Sequence, residues 1–319
     1  MSNSEKTSKQ PIVGIFVSLV APFENHIANG GEKLLGNASS IKRRPDGKVY
    51  ISGQMQRHVF FSALKKLNDI EKKSFNSNSE DDPFDITQTF VSNADGITND
   101  IAHDLRADLG GYMHTSEGEN SERRTGALSV TIAVAKNESQ VKNDLINRVA
   151  IYPERDPALA TKEFSQHDEM IMNFYLDLNI LGITENPTYN DGWNVSIDYI
   201  DHIQNDVERK RRARLFLQAT SLMNDYANQS RNAVCGEPEK VIIVFDTIGS
   251  RKACRYFSTD KEEVKSNIIK ELDTRQAKYF TGDDTTTESV YEAYKKAIAY
   301  LNIGETELYN PASSGLDKQ

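Results

Sequence analysis

Apolar positions along the chain fall into six segments of clear period, and the spacing in each predicts an element. Pro11 to Val20 (PIVGIFVSLV) is short, nearly continuously apolar and rich in β-branched residues, which predicts a buried strand. From Gly53 to Ile70 the residues Met55, Val59, Ala63, Leu67 and Ile70 recur at three and four, predicting an amphipathic helix with Ser52 as its cap. Leu128, Val130, Ile132 and Val134 alternate with small or polar residues, the mark of a half-buried strand. A longer alternation runs through Met170, Met172, Phe174, Leu176, Leu178 and Ile180. Leu215, Ala219, Leu222, Met223 and Tyr226 return to helical spacing, and Val241 to Phe245 (VIIVF) closes the series as another buried strand.

Strand, helix, strand, strand, helix, strand is the order of an α+β, ferredoxin-like (RRM-like) βαββαβ palm, a four-stranded antiparallel sheet with two helices on one face. The open face of such a sheet is a common RNA platform, although fold alone does not fix function. C-terminal helices are expected over about 261–302, one from Lys261 to Lys278 and one from a Thr285-x-x-Glu288 capping box to about Leu301. The connections are too long for plain loops. One palm domain over 1–319 is therefore expected, with insertions at about 21–52, 71–125 (a finger) and 136–200 (a thumb region). The finger should hold a short helix around Asn99 to Leu109, and Trp193, Val195, Ile197 and Tyr199 should form an extra strand attached to the long one before it.

Composition narrows the class. With 38% hydrophobic and 27% charged residues in 319, the chain is that of a globular protein. Met1 to Gln10 has no secretory character, and the apolar stretch Ile12 to Phe23 is far short of the roughly 20 residues that cross a bilayer. A cytoplasmic protein with no membrane partner is expected. Two cysteines, Cys235 and Cys254, are too few for a disulfide framework or a four-cysteine metal site. The six histidines fall in no metal-ligand spacing, and there is no nucleotide-binding glycine loop or nucleophile elbow, so neither metal nor cofactor is expected.

A net charge of -9 argues against a general nucleic-acid binder, but the charge is unevenly spread. Acids crowd at Glu80-Asp81-Asp82 and Asp283-Asp284, while basic residues cluster at Lys42-Arg43-Arg44, Arg123-Arg124 and Arg209 to Arg214. A local positive groove on an acidic body binds one particular RNA while rejecting nucleic acid at large. Each cluster alone is equally well read as a solvated face; that of Arg209 to Arg214 covers nearly every face of its helix, so some of its charges must be solvated.

The most informative string runs from Lys42 through Arg43, Arg44, Pro45-Asp46-Gly47, Lys48 and Ser52-Gly53-Gln54 to Arg57. Pro-Asp-Gly makes a turn that the arginines and Lys48 flank. The helix that starts at Ser52-Gly53 offers free N–H groups and its positive dipole end, and a glycine there lets a phosphate come close. Gln54 and Arg57 share a helix face, opposite much of the apolar stripe, and a guanidinium is a planar fork matched to phosphate.

At this string the chain resembles the repeated backbone subunit of type I CRISPR surveillance (Cascade) complexes, in the DevR branch of the Cas-seven family. Asn29-Gly30-Gly31-Glu32, Arg43 to Gly47 and Ser52 to Arg57 match its loop, its basic turn and its "SGQ-x-x-R" helix start. Arg106 to Gly111 resembles an "R-x-D-L-G-G" segment, Arg124 to Leu128 an "R-x-G-x-L" entry into the second strand, and Asn147-Arg148 a later "N-R" motif. The resemblance implies a non-catalytic subunit that lines up head to tail along a guide RNA (crRNA) and holds its backbone. Its partners would be guide RNA, further copies of itself, other subunits of the complex, and target DNA through the guide. It carries guide contact to Lys42, Arg43, Arg44, Ser52, Gly53, Gln54 and Arg57, and to Arg124 and Arg148, for which a rim charge and a salt bridge are the competing readings. The alternative function is an RNA-cleaving ferredoxin-like CRISPR endoribonuclease, with acids such as Asp95 and Asp104 as candidates although no motif singles one out.

Overall fold

The computed structural model describes residues 10–33, 38–75, 84–115, 121–148, 158–189, 195–230, 232–304 and 306–313. Trp193 and the acidic run at 80–82 lie outside them. The first strand, Gly14–His26, sits between two antiparallel neighbours, the long strand Ala158–Asp177 on one side and Lys240–Asp246 on the other. Its residues Gly14 to Ala21 are all buried, which is why this stretch reads as a continuous apolar run rather than an alternating one. Leu128–Val130 and Ala133–Ala135 pair with the far side of the long strand, and Lys278–Asp283 pairs outside Lys240–Asp246. Taken in chain order, the strands of the strand–helix–strand–strand–helix–strand series neighbour one another as fourth, first, third, second.

One face of this sheet carries the helices Gly53–Ser74, Asp206–Thr220 and Val290–Asn302. Ile15, Val17 and Leu19 meet Phe60, Phe174 and Phe216 there, with the Phe60 ring 6.1 Å from Phe174 and 5.9 Å from Phe216. The opposite face is not the open platform expected from the pattern. Phe16, Tyr175, Ile242 and Val244 point to it, and Ala253, Ile268, Leu272 and Ala277 bury them under the helix Glu262–Thr274. Period-two alternation of large apolar residues on both faces demands a second layer, and the C-terminal segment supplies it.

Other boundaries differ for identifiable reasons. The alternation Leu128 to Val134 breaks into two short strands at the exposed pair Thr131 and Ile132. The helix expected to reach Tyr226 ends at Thr220; Met223 and Tyr226 are buried beyond it, the Tyr226 hydroxyl donating to Gln56 Oε1 at 3.2 Å. Ser289, not Thr285, caps the last helix, because Thr285 is committed to a turn through Asp283. The finger helix is shorter than expected, Leu105–Gly110, with Asp104 as its cap. The strand Val195–Asp201 does not join the long strand; it pairs with Ile183–Tyr189 in a separate two-stranded ribbon. Met170 to Asp177, within the region assigned to the thumb, lies in the centre of the sheet, and only the start of the long strand pairs with Val141–Arg148.

Candidate nucleic-acid interface

The basic turn is built tightly. Arg43 and Val49 form an antiparallel bridge, Arg44 N–H donates to Lys48 O at 2.9 Å, and Gly47 N–H donates to Arg44 O at 3.0 Å. Gly47 has φ +78°, a left-handed conformation that favours glycine. Both ends of the turn hang on Asn29, whose amide donates to Lys42 O at 2.9 Å and to Tyr50 O at 3.1 Å. In the sequence Asn29 is only part of a loop motif, and the available signal was an asparagine directly ahead of a Gly-Gly pair, which the structure buries ahead of two positive-φ glycines. Arg43 and Arg44 project outward, with side chains 43% and 45% exposed and, among the described residues, only loose pairs, Glu163 at 3.7 Å and Asp46 at 3.4 Å. Lys42 is half-buried, and Lys48 turns inward to donate to Lys136 O at 2.7 Å.

Directly after the turn, Ser52 caps the first helix, its hydroxyl accepting from Met55 N–H at 3.2 Å. Gly53 has no positive φ, and a Cβ there would meet nothing nearer than Val130 O at 3.6 Å, so the fold itself does not require glycine. Gln54 is exposed beside it. Arg57 is not free. It donates to Gly110 O at 2.8 Å, pairs with Asp95 at 2.9 Å, and shares that carboxylate with Arg106. Burial alone would raise the Asp95 carboxyl, but the hydrogen bonds from Arg106 and Arg57 outweigh it and hold the group below its usual range. Both guanidinium groups also lie over the Phe61 ring, at 5.4 and 4.7 Å.

Arg124 requires a correction. Its side chain is 4% exposed and pairs with Asp108 at 2.9 Å, while further donors reach the carbonyls of Ala107, Asp108, Ile180 and Ile183. With its donors committed to the interior, it is not a rim charge and offers nothing to a ligand. Arg123, next to it on the hairpin strand Ser121–Thr125, is the exposed one. Asp108 also holds Arg212 at 2.7 Å, and Arg212 pairs with Glu208 at 2.8 Å. Glu208 continues to Arg211 at 3.4 Å, and Glu71 closes the network through Arg211 and Arg214. Arg209, Arg211 and Arg212 are interior, so of this cluster only Lys210 and Arg214 keep contact with solvent.

Arg148 ends the strand Val141–Arg148, its backbone opposite Ala158, and its side chain lies outside the described residues. In the ribbon, Pro187 faces Ile197 and Tyr189 faces Val195 on one side. Tyr189 is 79% and Val195 51% exposed, and the two strands carry Glu185, Asp198 and Asp201 but no lysine or arginine. Among the described residues no group of three or more His, Cys, Asp or Glu is arranged to hold a metal ion, and no helix is long and apolar enough to cross a membrane.

The model of the family described as CRISPR-associated negative auto-regulator DevR/Csa2 matches residues 22–244. No curated protein matches the sequence. Among solved structures, a chain of a "CRISPR RNA-guided surveillance complex" is similar at TM-score 0.55 and 13% identity, over 90% of this chain and 98% of that one. A chain of a "CRISPR RNA-guided surveillance complex, pre-nicking" is similar at TM-score 0.59 and 12% identity, over 90% and 99% of the two chains. At these identities the likeness is one of fold.

Proposed function

The chain belongs to the CRISPR-associated DevR/Csa2 family, and we propose that it is a non-catalytic subunit of a surveillance complex that binds guide RNA and assembles head to tail with its own copies along it. The core is then a ferredoxin-like palm, a reading supported by the fourth–first–third–second strand order. The segment at 71–125 serves as finger, and the ribbon Ile183–Tyr189 with Val195–Asp201 serves as thumb toward the next copy. Other subunits and target DNA, paired to the guide, complete its partners.

One observation carries this reading: two outward arginines on a braced turn, immediately followed by an open helix start. Arg43 and Arg44 supply the charge, Ser52 and Gly53 supply N–H groups, and the glycine that the fold does not need leaves room for a phosphate. Gln54 adds a polar contact on the same rim. Arg57 stands behind these groups, bracing the finger while its 23% exposed side chain keeps an edge toward the surface. Specificity in such a design comes from base pairing, and the protein grips the backbone. The two acids weighed for an endoribonuclease are otherwise occupied: Asp95 binds Arg57 and Arg106, and Asp104 is a fully buried helix cap.

Purification of the full chain from cells holding a CRISPR array tests the proposal. The expected result is bound RNA of uniform length, left intact with magnesium or manganese. Protein free of nucleic acid, or metal-dependent cutting lost on replacing a single aspartate, would reject it.

A further inference from the structure

We propose that Asn29 and a buried relay of His26, Asp168 and Ser139 are positioning residues for the basic turn, fixing the geometry at which Arg43 and Arg44 meet a phosphate chain. The inference rests on the reading of that turn as an RNA contact and names what sets it. The relay starts at one end of the turn, where Val49 N–H donates to Ser139 Oγ at 2.9 Å. Ser139 Oγ donates to Asp168 Oδ1 at 2.5 Å, and the other carboxylate oxygen meets His26 Nε2 at 2.8 Å. His26 Nδ1 accepts from Ala28 N–H at 3.4 Å, one residue before Asn29. Asn29 then returns to the turn, donating to Lys42 O and Tyr50 O while its own oxygen accepts from Gly31 N–H at 3.1 Å. Both ends of the segment 42–50 are thereby tied to residues of the first and long strands.

The polarity of the relay is forced. Its two outer partners are backbone N–H groups, which only donate. Ser139 Oγ accepts from Val49 and so turns its proton to Asp168; His26 accepts at Nδ1 and so carries its proton on Nε2, also toward Asp168. The two donors converge on a group that must accept at both oxygens, and a carboxylate does this where an amide cannot. His26 is 0% and Asp168 4% exposed, so neither has water as a substitute partner. A buried carboxylate held by residues 29 and 142 positions away in the chain is costly to keep for a surface turn alone. Its cost is accounted for if the turn must present its arginines in one geometry.

The experiment measures binding of the full chain to labelled poly(U) as a function of salt, with circular dichroism confirming a folded protein at the working temperature. Arg43→Ala/Arg44→Ala is expected to lower the salt slope by about 1.4 units, since each single-strand phosphate contact contributes about 0.7. Ser139→Ala and Asp168→Asn should each weaken binding about threefold, less than loss of both arginines, and lower the slope in part, with Ser139→Thr, which keeps the hydroxyl, restoring both. On the Arg43→Ala/Arg44→Ala background, Ser139→Ala should cost nothing further, because positioning acts only through the arginines. Additive losses on that background, or an unchanged slope in Ser139→Ala, overturn the inference while leaving the RNA contact standing. Unchanged binding in Arg43→Ala/Arg44→Ala overturns the RNA contact itself, and the inference with it. If Asp168→Asn does not fold, the half-buried Ser139 still decides.

Discussion

Two clusters of arginine that look alike in the sequence have opposite fates in the fold. Arg43 and Arg44 ride on a turn, nearly half exposed, and among the described residues no carboxylate comes closer to them than 3.4 Å. Arg209, Arg211 and Arg212 lie on the helix Asp206–Thr220 and are buried, Arg212 held between Asp108 and Glu208 at 2.7 and 2.8 Å. The difference is where the acceptors come from. Arg211 and Arg212 receive Asp108 and Glu71 from the finger segment and the first helix, and Glu208 from their own preceding turn, while Arg209 donates to the carbonyls of Leu178, Leu181 and Tyr309. The turn cluster has its backbone satisfied by Asn29 and its side chains left over. A basic string marks a partner only when the fold has not already spent it.

The sharpest way to break this comparison is to remove one interior arginine. Arg212→Met leaves Asp108 and Glu208 buried beside an uncharged side chain, and the expected loss is about 3–5 kcal/mol of unfolding free energy. Urea denaturation measures it, and a loss under about 1 kcal/mol would mean that the network is wet and loosely held. The complementary change, Arg43→Ala with Arg44→Ala, should shift stability by no more than about 0.5 kcal/mol, because neither side chain has a close partner. Its effect belongs to RNA, where about tenfold weaker binding, or about 1.4 kcal/mol, is expected in the same preparation. A comparable destabilisation in both variants would erase the distinction between the clusters.

Much of this architecture was legible because period and burial coincide. The helix from Gly53, its Ser52 cap and the strands around Val17, Phe174 and Ile243 follow from spacing alone. The edge strand Lys278–Asp283 was not, since its alternation is weak and the helical pattern before it runs on to Lys278. Gln276, at φ 58°, is where that pattern ends, and a non-glycine left-handed residue leaves no reliable mark in sequence. The ribbon's second strand was recognisable at Val195 to Tyr199, but its partner contains Pro187 and did not read as a strand. In the candidate site the turn and helix start were visible, being local. Arg124 was misplaced because its partner Asp108 is 16 residues away and the carbonyls of Ile180 and Ile183 more than fifty. The one local hint of interior arginines was Glu208, three and four residues ahead of Arg211 and Arg212.

Arg57 sits between the two clusters and divides its role. Its guanidinium is 23% exposed, paired with an Asp95 that is itself 51% exposed, and bonded to Gly110 O. Arg57→Ala is expected to cost about 1 kcal/mol of stability, the upper end for a surface pair with one added hydrogen bond. It should also weaken RNA binding less than loss of the turn arginines. Equal losses of RNA affinity in the two variants would place Arg57 with the turn rather than with the finger.

The smallest effect is the acid dependence of that same pair, and its sign follows from Asp95. Hydrogen bonds from Arg106 and Arg57 hold this carboxyl below its ordinary value of 3.8 against the opposing effect of burial. A carboxyl depressed in the folded state stabilises the fold above its unfolded value, and the contribution disappears as pH falls through the lower folded value. The stability difference between the native chain and Asp95→Asn should therefore be constant above the ordinary carboxylate range and shrink only below 3.8. In Arg57→Ala, Arg106 alone remains at 2.9 Å, so the titration of Asp95, followed by its carboxyl carbon resonance, should move part of the way back toward 3.8. A titration that does not move on removing Arg57 would show that Arg106 holds the carboxylate unaided, and would return Arg57 to the exposed cluster.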